Sequence, residues 1–308
     1  MGYTPALVAG APPHGAGMSI SAAAASVAPA TVAELQAALR AAQAGEFRIG
    51  AGPAPVPTGA HRRAPWRRLR GHVVMVQGCH GGAGASILAL AVAQAAGESG
   101  ASVRLLDCAS AEHSGLLCAP DAELGLDGNG WRRGRRGALP IDRVAGVLAS
   151  AADVPAPSDE PGRAGVIVLD TGWGATGVLS GDSWLAAEAG GAALVLVARA
   201  TIPGLRRLEQ VLTACPGEPV VALRGRWRWD RSVHASAGRL LLAAEVAGRV
   251  VSVPSDRHLA ATGITGAPLP RAVLAAGARI VACSGPDPQN PAADRRPLAN
   301  LSGTGTRT

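Results

Sequence analysis

The chain has 308 residues, an apolar fraction of 48%, a net charge of +7 and a pI near 10.3. Its five cysteines are widely spaced and form no CxxC pair, so the sequence signals neither a zinc site nor a disulfide scaffold. No run of about 18 uncharged apolar residues is present, so no membrane-spanning helix is predicted. Arginine alone carries the positive charge, because the chain has no lysine. This composition is consistent with an anionic partner, and equally with the codon bias of a GC-rich genome.

The N-terminal part, residues 1–66, is predicted to be a disordered arm that contains one short helix. It is mostly Ala, Gly, Pro and Ser and offers little to bury. Thr31 and Glu34 have capping-box spacing and precede leucines at helical spacing, which predicts a helix over 31–45. A basic linker with five arginines, 61–71, leads into the folded part. The chain starts without the basic region of a signal peptide, so we expect a cytoplasmic protein.

The pattern from residue 67 to 285 predicts one α/β domain, followed by a flexible polar tail. Near-continuous Val and Leu runs predict strands at 72–77, 102–106, 165–169, 193–197, 219–223 and 249–253. Apolar residues at helical spacing predict helices at 84–98, 141–149, 203–214, 232–247 and 268–279. Such an alternation predicts a mostly parallel sheet sandwiched by helices, whose ligands bind beyond the carboxyl ends of the strands.

The segment GCHGGAGAS, residues 78–86, joins the first of these strands to an alanine-rich helix. Its glycines allow backbone N–H groups to turn toward a phosphate at the N-terminus of the helix. Ser86 stands where a phosphate-binding loop carries its Mg²⁺-binding hydroxyl, but Ala85 stands where the lysine is expected. The alternative interpretation is a glycine-rich turn that binds nothing.

The segment GCHGGAGASILALAVA resembles the deviant Walker A motif, KGGxGK[ST], of the ParA/MinD ATPases. VRLLDCASAEHSGL is similar to the second strand and switch I of that family, and VIVLDTGWG to its switch II strand. VSVPSDRHLAATGITGAPLP is similar to the closing segment beside the nucleotide base. The resemblance runs in the family's order from residue 71 to 283. It is closest to the CpaE/TadZ-like branch, which organises pilus-assembly and secretion machinery.

The resemblance implies a fold of the P-loop NTPase type, with ATP and Mg²⁺ as weakly bound cofactors. It implies Mg²⁺ binding through water by Ser86 and Asp170. The nucleotide-binding residues that it implies are Gly81, Gly82, Ala83, Gly84, Ala85, Ser86, Asp107, Asp170, Gly172, Pro254 and Asp256.

Three departures from the family pattern predict poor catalysis. His80 and Ala85 replace the two lysines, and Ala109 replaces the second carboxylate of switch I. The asparagine that reads the base in the family is not evident in VVALRGRW. Phosphoryl transfer depends on cations that neutralise charge on the transferred group, so we expect no efficient ATPase and assign no catalytic residue.

Two segments that mix Trp and Arg, WRRGRR and RGRWRWDR, are candidate DNA-binding surfaces, because such surfaces track phosphates and stack on bases. The alternative is that they are solvated loops. The candidate residues are Arg132, Arg133, Arg135, Arg136, Arg224, Arg226, Arg228 and Arg231.

The leading functional hypothesis is a degenerate ParA/MinD-like pseudo-ATPase that positions or assembles a larger cytoplasmic machine. Its expected partners are proteins of that assembly, with a homodimer and non-specific DNA as further candidates and no insertion into a membrane. The first alternative is an ATP-dependent DNA-binding partition protein. The second is a ligand-free interaction scaffold.

Overall fold

The computed structural model describes residues 68–158, 165–225 and 230–285. The predicted helix at 31–45, the rest of the N-terminal arm and the tail from 286 lie outside these residues. The strands of the described part are β1 (His72–Gly78), β2 (Val103–Asp107), β3 (Ala122–Leu126), β4 (Trp131–Arg136), β5 (Leu139–Val144), β6 (Val166–Asp170), β7 (Ala193–Arg199), β8 (Val220–Gly225) and β9 (Val250–Pro254).

These strands form a single sheet in the order β3-β4-β5-β2-β6-β1-β7-β8-β9. From β5 to β9 all neighbouring strands are parallel, whereas β4 runs antiparallel to both β5 and β3. The predicted α/β class with a mostly parallel sheet is therefore confirmed. All six predicted strands are present, within two residues of their predicted bounds.

Helices cover both faces of the sheet. They are α1 (Ala85–Glu98), α2 (Ala175–Leu179), α3 (Trp184–Ala189), α4 (Ile202–Ala214), α5 (Arg231–His234), α6 (Arg239–Val246), α7 (Arg257–Thr262) and α8 (Arg271–Ser284), with a 3₁₀ turn at Ala151–Asp153. Alternate residues of β1 face opposite sides: Val74 and Val76 pack with α1 and α8, whereas Val73 and Met75 pack with α3 and α4. Within the described residues, none of the helices has the length and hydropathy needed to cross a membrane.

The predicted helix at 141–149 is wrong, because β5 occupies its first half. Apolar residues at helical spacing suggested one buried face, but the intervening Asp142 and Arg143 are themselves buried. Asp142 pairs with Arg104 at 2.6 Å, and Arg143 donates to the Leu117 carbonyl at 2.7 Å. Internal partners thus allow a strand with polar residues to be buried on both faces.

The other predicted helices differ less from the structure. The helix predicted at 232–247 is divided into α5 and α6, because the chain is extended at Gly238, the N-cap of α6. The last helix begins at Arg271, after Pro270, and continues to Ser284. A proline before the first helical residue is compatible with a helix start, whereas one inside a helix is not.

Candidate functional site

The loop between β1 and α1 opens at the carboxyl end of the parallel strands. Gly82 and Gly84 have φ values of 71° and 99°, in the left-handed region that favours glycine. Gly84 is the N-cap of α1 and provides no side-chain cap, and the first turn of α1 has no acidic residue. The N–H groups of this turn are therefore free to face an anion, and the helix dipole favours one there.

His80 ties this loop to the end of β7. Its Nε2 accepts a hydrogen bond from the Arg199 N–H at 3.2 Å, and its Nδ1 lies 2.9 Å from the Gly81 carbonyl oxygen. The two contacts together assign the neutral tautomer with the proton on Nδ1. His80 therefore holds the loop in place without supplying a positive charge to it.

Two carboxylates end neighbouring strands beside the loop. Asp107 on β2 and Asp170 on β6 lie opposite each other in register, and neither is exposed to solvent. Asp107 accepts hydrogen bonds from the Ala109 N–H at 3.1 Å and from the Ser114 hydroxyl at 2.5 Å. Among the described residues, no hydrogen bond of normal geometry reaches either oxygen of Asp170, and the Ser86 hydroxyl and the Gly172 N–H are the polar groups that stabilise its charge.

Burial, and after it the charge of Asp107, raise the pKa of Asp170 from 3.8 to about 7, although the Ser86 hydroxyl and the Gly172 N–H offset part of the rise. Burial likewise raises the pKa of Asp107 to about 6, against the hydrogen bonds from Ser114 and Ala109 and the charge of Arg143. Two buried carboxylates this close do not both ionise readily without a cation between them. The pair therefore favours a cation at neutral pH.

Ser86, Asp107 and Asp170 form a set of oxygen donors that fits Mg²⁺. The Ser86 Oγ lies against Gly115, where a Cβ would approach it to 2.4 Å, so the close approach of these two segments requires glycine. Mg²⁺ prefers oxygen ligands and retains several waters, so one hydroxyl and one or two carboxylates suffice. Within the described residues there is no group of three His, Cys, Asp or Glu side chains that could hold a metal by themselves.

The loops that follow β2 and β6 are bonded to each other and to β1. The Trp173 Nε1 donates to the Cys108 carbonyl at 2.7 Å, and Gln77 Nε2 donates to the Trp173 carbonyl at 2.8 Å. The Thr171 hydroxyl completes the network by donating to Gln77 Oε1 at 2.9 Å. Sequence reasoning missed this network, although a glutamine at the end of an apolar strand was a signal for it.

Gly172 and Ala109 are in close contact between the same two loops. Gly172 has a φ of 68°, and a Cβ there would lie 2.4 Å from the Ala109 Cβ. Ala109 is buried. The two loops therefore fit together only with a glycine at position 172.

Arg224 extends from the end of β8 to the loop 78–86. Its Nη2 donates to the Gly82 carbonyl at 2.8 Å. Arg224 also lines a cavity of about 10 Å³ that lies between the loop, Pro254 and Asp256. Asp256 caps α7 there by accepting from the Leu259 N–H at 2.7 Å. Pro254 and Asp256, which the sequence predicted to lie beside the nucleotide base, are thus close to the loop.

The segment 131–136 forms β4, and its candidate DNA-binding arginines have different surroundings. Arg136 is buried and donates to the carbonyls of Ala119, Thr265 and Ala267. Arg133 lies 3.7 Å from Asp142. Two other arginines of β4, Arg132 and Arg135, are exposed. Arg231, a candidate from the second segment, is exposed at the start of α5. Arg226 and Arg228 lie outside the described residues.

Comparison with known proteins gives structural neighbours only. A chain of the MinC:MinD cell division protein complex of Aquifex aeolicus is 14% identical, with 68% of this chain and 96% of that chain covered and a TM-score of 0.45. The cell division ATPase MinD of Pyrococcus furiosus is 15% identical, with 69% and 99% covered and a TM-score of 0.42. A ParA family ATPase of Chlorobium tepidum is 16% identical, with 69% and 92% covered and a TM-score of 0.39.

No protein-family model matches the chain, and no curated protein matches it significantly. Identities of 14–16% and TM-scores below 0.5 leave the function to be inferred from the residues of the site.

Proposed function

We propose that the protein binds a nucleotide with Mg²⁺ at the loop 78–86 and hydrolyses it slowly or not at all. The observation that carries this proposal is Asp170, a fully buried carboxylate that has no cation beside it among the described residues and is stabilised only in part by the Ser86 hydroxyl and the Gly172 N–H. A buried carboxylate with so little compensation is costly, unless a ligand adds to it. The adjacent Ser86 hydroxyl and the uncapped start of α1 supply the two other parts of a Mg²⁺-phosphate site.

Weak hydrolysis follows from the groups that the loop lacks. Loss of a single donor to a transition state typically costs about 2.7–4 kcal/mol, or about 10²–10³ in rate. The loop has Ala85 in the place of a lysine, and the other lysine position holds His80, which is occupied by backbone contacts. The bonds between Trp173, Cys108 and Gln77 also oppose the loop movements that accompany turnover.

The biological role that fits such a protein is a positioning or assembly factor in a cytoplasmic machine of the pilus or secretion type. The resemblance of the sequence to the CpaE/TadZ-like branch supports this role, and it implies protein partners or a homodimer. In a protein that binds a nucleotide without rapid turnover, the bound nucleotide stabilises one conformation, and that conformation binds the partners. The nucleotide is then a structural ligand.

The test is thermal unfolding of the full chain with Mg²⁺-ATP, Mg²⁺-ADP, and ATP with EDTA. Ligand at 100 times its Kd stabilises the folded state by about 2.7 kcal/mol, which raises Tm by roughly 5–11 °C for a domain of this size. Ser86→Ala and Asp170→Asn are expected to remove the Mg²⁺-dependent part of the rise. Ser232→Ala, an exposed serine on α5, is the matched control and should retain it.

Two outcomes would contradict the proposal. An unchanged Tm at millimolar Mg²⁺-ATP would leave the ligand-free scaffold as the better description. An ATPase turnover of about 1 s⁻¹ or more would contradict slow hydrolysis, because that is within the range of ordinary enzymes.

A second candidate function is non-specific DNA binding, which the exposed Arg132 and Arg135 on β4 favour. Binding through phosphate contacts weakens steeply as salt rises. Fluorescence anisotropy with duplex DNA at about 50 and 200 mM salt therefore tests it. The double variant Arg132→Ala/Arg135→Ala should weaken binding at low salt. If the anisotropy of the DNA at low salt is the same with and without the protein, this function is ruled out.

A further inference from the structure

Arg224 is a cation at the loop 78–86 and has no carboxylate partner in the part of the chain that the structure describes. Its single hydrogen bond is to the Gly82 carbonyl, and its Nε is buried without any partner. Among the described residues no carboxylate pairs with it, and the nearby Asp256 is engaged in capping α7. A half-buried guanidinium with one neutral acceptor retains donors for an anion.

The Arg224 side chain packs against the backbone of Gly84 in the loop. A Cβ at Gly84 would lie 3.0 Å from the Arg224 Cδ and 3.1 Å from its Nε. The left-handed φ of 99° at Gly84 also disfavours any other residue. Arg224 therefore rests directly on the start of α1, where the N–H groups of the first turn face an anion.

A second arginine stands beside the first. Arg199, at the end of β7, is the register partner of Arg224 and is exposed, also without a carboxylate partner among the described residues. Burial lowers the pKa of Arg224, and the like charge of Arg199 lowers it further. Two guanidinium groups at the ends of neighbouring strands repel each other, and an anion between them would relieve this repulsion.

The site beside the loop offers little room for a nucleotide base. The cavity that Arg224 lines with Pro254 and Asp256 has a volume of about 10 Å³, which is no more than one water requires. The Arg224 guanidinium is held beside this cavity by one hydrogen bond, to the Gly82 carbonyl of the loop.

We infer that Arg224 replaces the missing loop lysine as the cation that binds the ligand's phosphates, and that the site recognises the polyphosphate chain rather than the base. This inference rests on the function proposed above and specifies how its ligand is held. Arg199 is the flanking charge of the same site. The planar fork of an arginine binds two phosphate oxygens at once, which suits a cation that enters from outside the loop.

The experiment is isothermal titration of the full chain with the Mg²⁺ complexes of ATP, GTP and inorganic tripolyphosphate. The wild type is expected to bind ATP and GTP with Kd values within about threefold, and tripolyphosphate within about tenfold of them. Arg224→Gln, which keeps an N–H donor for Gly82, should weaken binding of all three by about 10-fold or more, the usual effect of losing a charged hydrogen bond. Arg224→Lys should recover part of the loss.

The control is Arg279→Gln, which removes an exposed arginine from α8 and should leave every Kd unchanged. Unchanged affinities in both Arg224 variants would overturn the inference and leave the proposed function intact. Preference for ATP over both other ligands by about 100-fold would overturn recognition through the phosphates. Binding of tripolyphosphate without ATP would support the inference while contradicting nucleotide binding, and absence of all binding would contradict both.

Discussion

The β4–β5 edge of the sheet and the loop 78–86 both have charged side chains that are buried or partly buried, but these side chains differ in their partners. At the edge, Asp142 lies between Arg104 and Arg133, and Arg136 donates to three carbonyls. At the loop, no described residue brings an opposite charge to Asp170, and Arg224 donates to a single neutral acceptor, the Gly82 carbonyl.

The surroundings of the buried Arg136 and the half-buried Arg224 show the same contrast. Burial lowers the pKa of both, but the neighbouring Asp121 counteracts this at Arg136, whereas Arg199 adds to it at Arg224. Charges at the edge are neutralised within the fold, and the charges at the loop are those that the proposed ligand would neutralise. Partners, rather than residue type or burial, distinguish a structural charge from a binding one.

The largest expected effect is that of Asp142→Asn at the edge. Breaking a buried ion pair by neutralising one partner typically costs about 3–5 kcal/mol, because the other charge is left uncompensated. Urea denaturation should show this loss in the free energy of unfolding. A loss below about 1 kcal/mol would mean that the edge charges are not neutralised as described.

Arg136→Ala is expected to destabilise the fold by about 2–4 kcal/mol, because three carbonyls lose a charged donor. The same denaturation experiment measures it. Arg135→Ala is the matched control, since Arg135 is exposed on the same strand, and its effect should stay within about 0.5 kcal/mol. Equal effects of the two variants would remove the distinction between them.

In the absence of Mg²⁺, Asp170→Asn is expected to increase the free energy of unfolding, whereas Asp142→Asn decreases it. The pKa of Asp170 is raised from 3.8 to about 7. Between these values the unfolded chain releases a proton that the folded protein retains, so stability falls as pH rises through this window. The variant removes this loss.

Each tenfold difference in proton affinity between the folded and unfolded states corresponds to about 1.4 kcal/mol, so even one such unit would place the Tm of Asp170→Asn at pH 8 with EDTA roughly 3–6 °C above that of the wild type. At pH 4 the difference should be close to zero. A lower Tm for the variant at pH 8 would show that a partner within the fold compensates Asp170.

The smallest expected effect is that of Arg224→Gln on the protein without ligand. One hydrogen bond to Gly82 is altered, and the repulsion by Arg199 is relieved, so the free energy of unfolding should change by less than about 1 kcal/mol. Urea denaturation beside Arg136→Ala makes the comparison direct. A loss as large as that of Arg136→Ala would place Arg224 among the structural charges.

The central strands and the loop could be predicted from sequence because each depends on local signals. Runs of Val and Leu mark strands buried on both faces, and glycines between a strand and a helix mark the turn at 78–86. β5 could not be predicted, because Asp142 and Arg143 appear exposed until their partners Arg104 and Glu123 are known. Those partners are distant in sequence.

The place of Arg224 was equally hidden from sequence. It depends on the order β1-β7-β8 in the sheet, which puts the end of β8 near the loop that follows β1. The sequence segment RGRWRWDR indicated only a basic cluster. What distinguishes Arg224 within it is the contact with Gly82, which only the tertiary structure provides.

The contact between Ala109 and Gly172 limits what position 109 can hold. A carboxylate there would be a third buried acid beside Asp107 and Asp170, both of which already have raised pKa values. It would also press against Gly172, where even an added Cβ would overlap Ala109. Position 109 is therefore restricted to a small, uncharged side chain by packing and by charge at the same time.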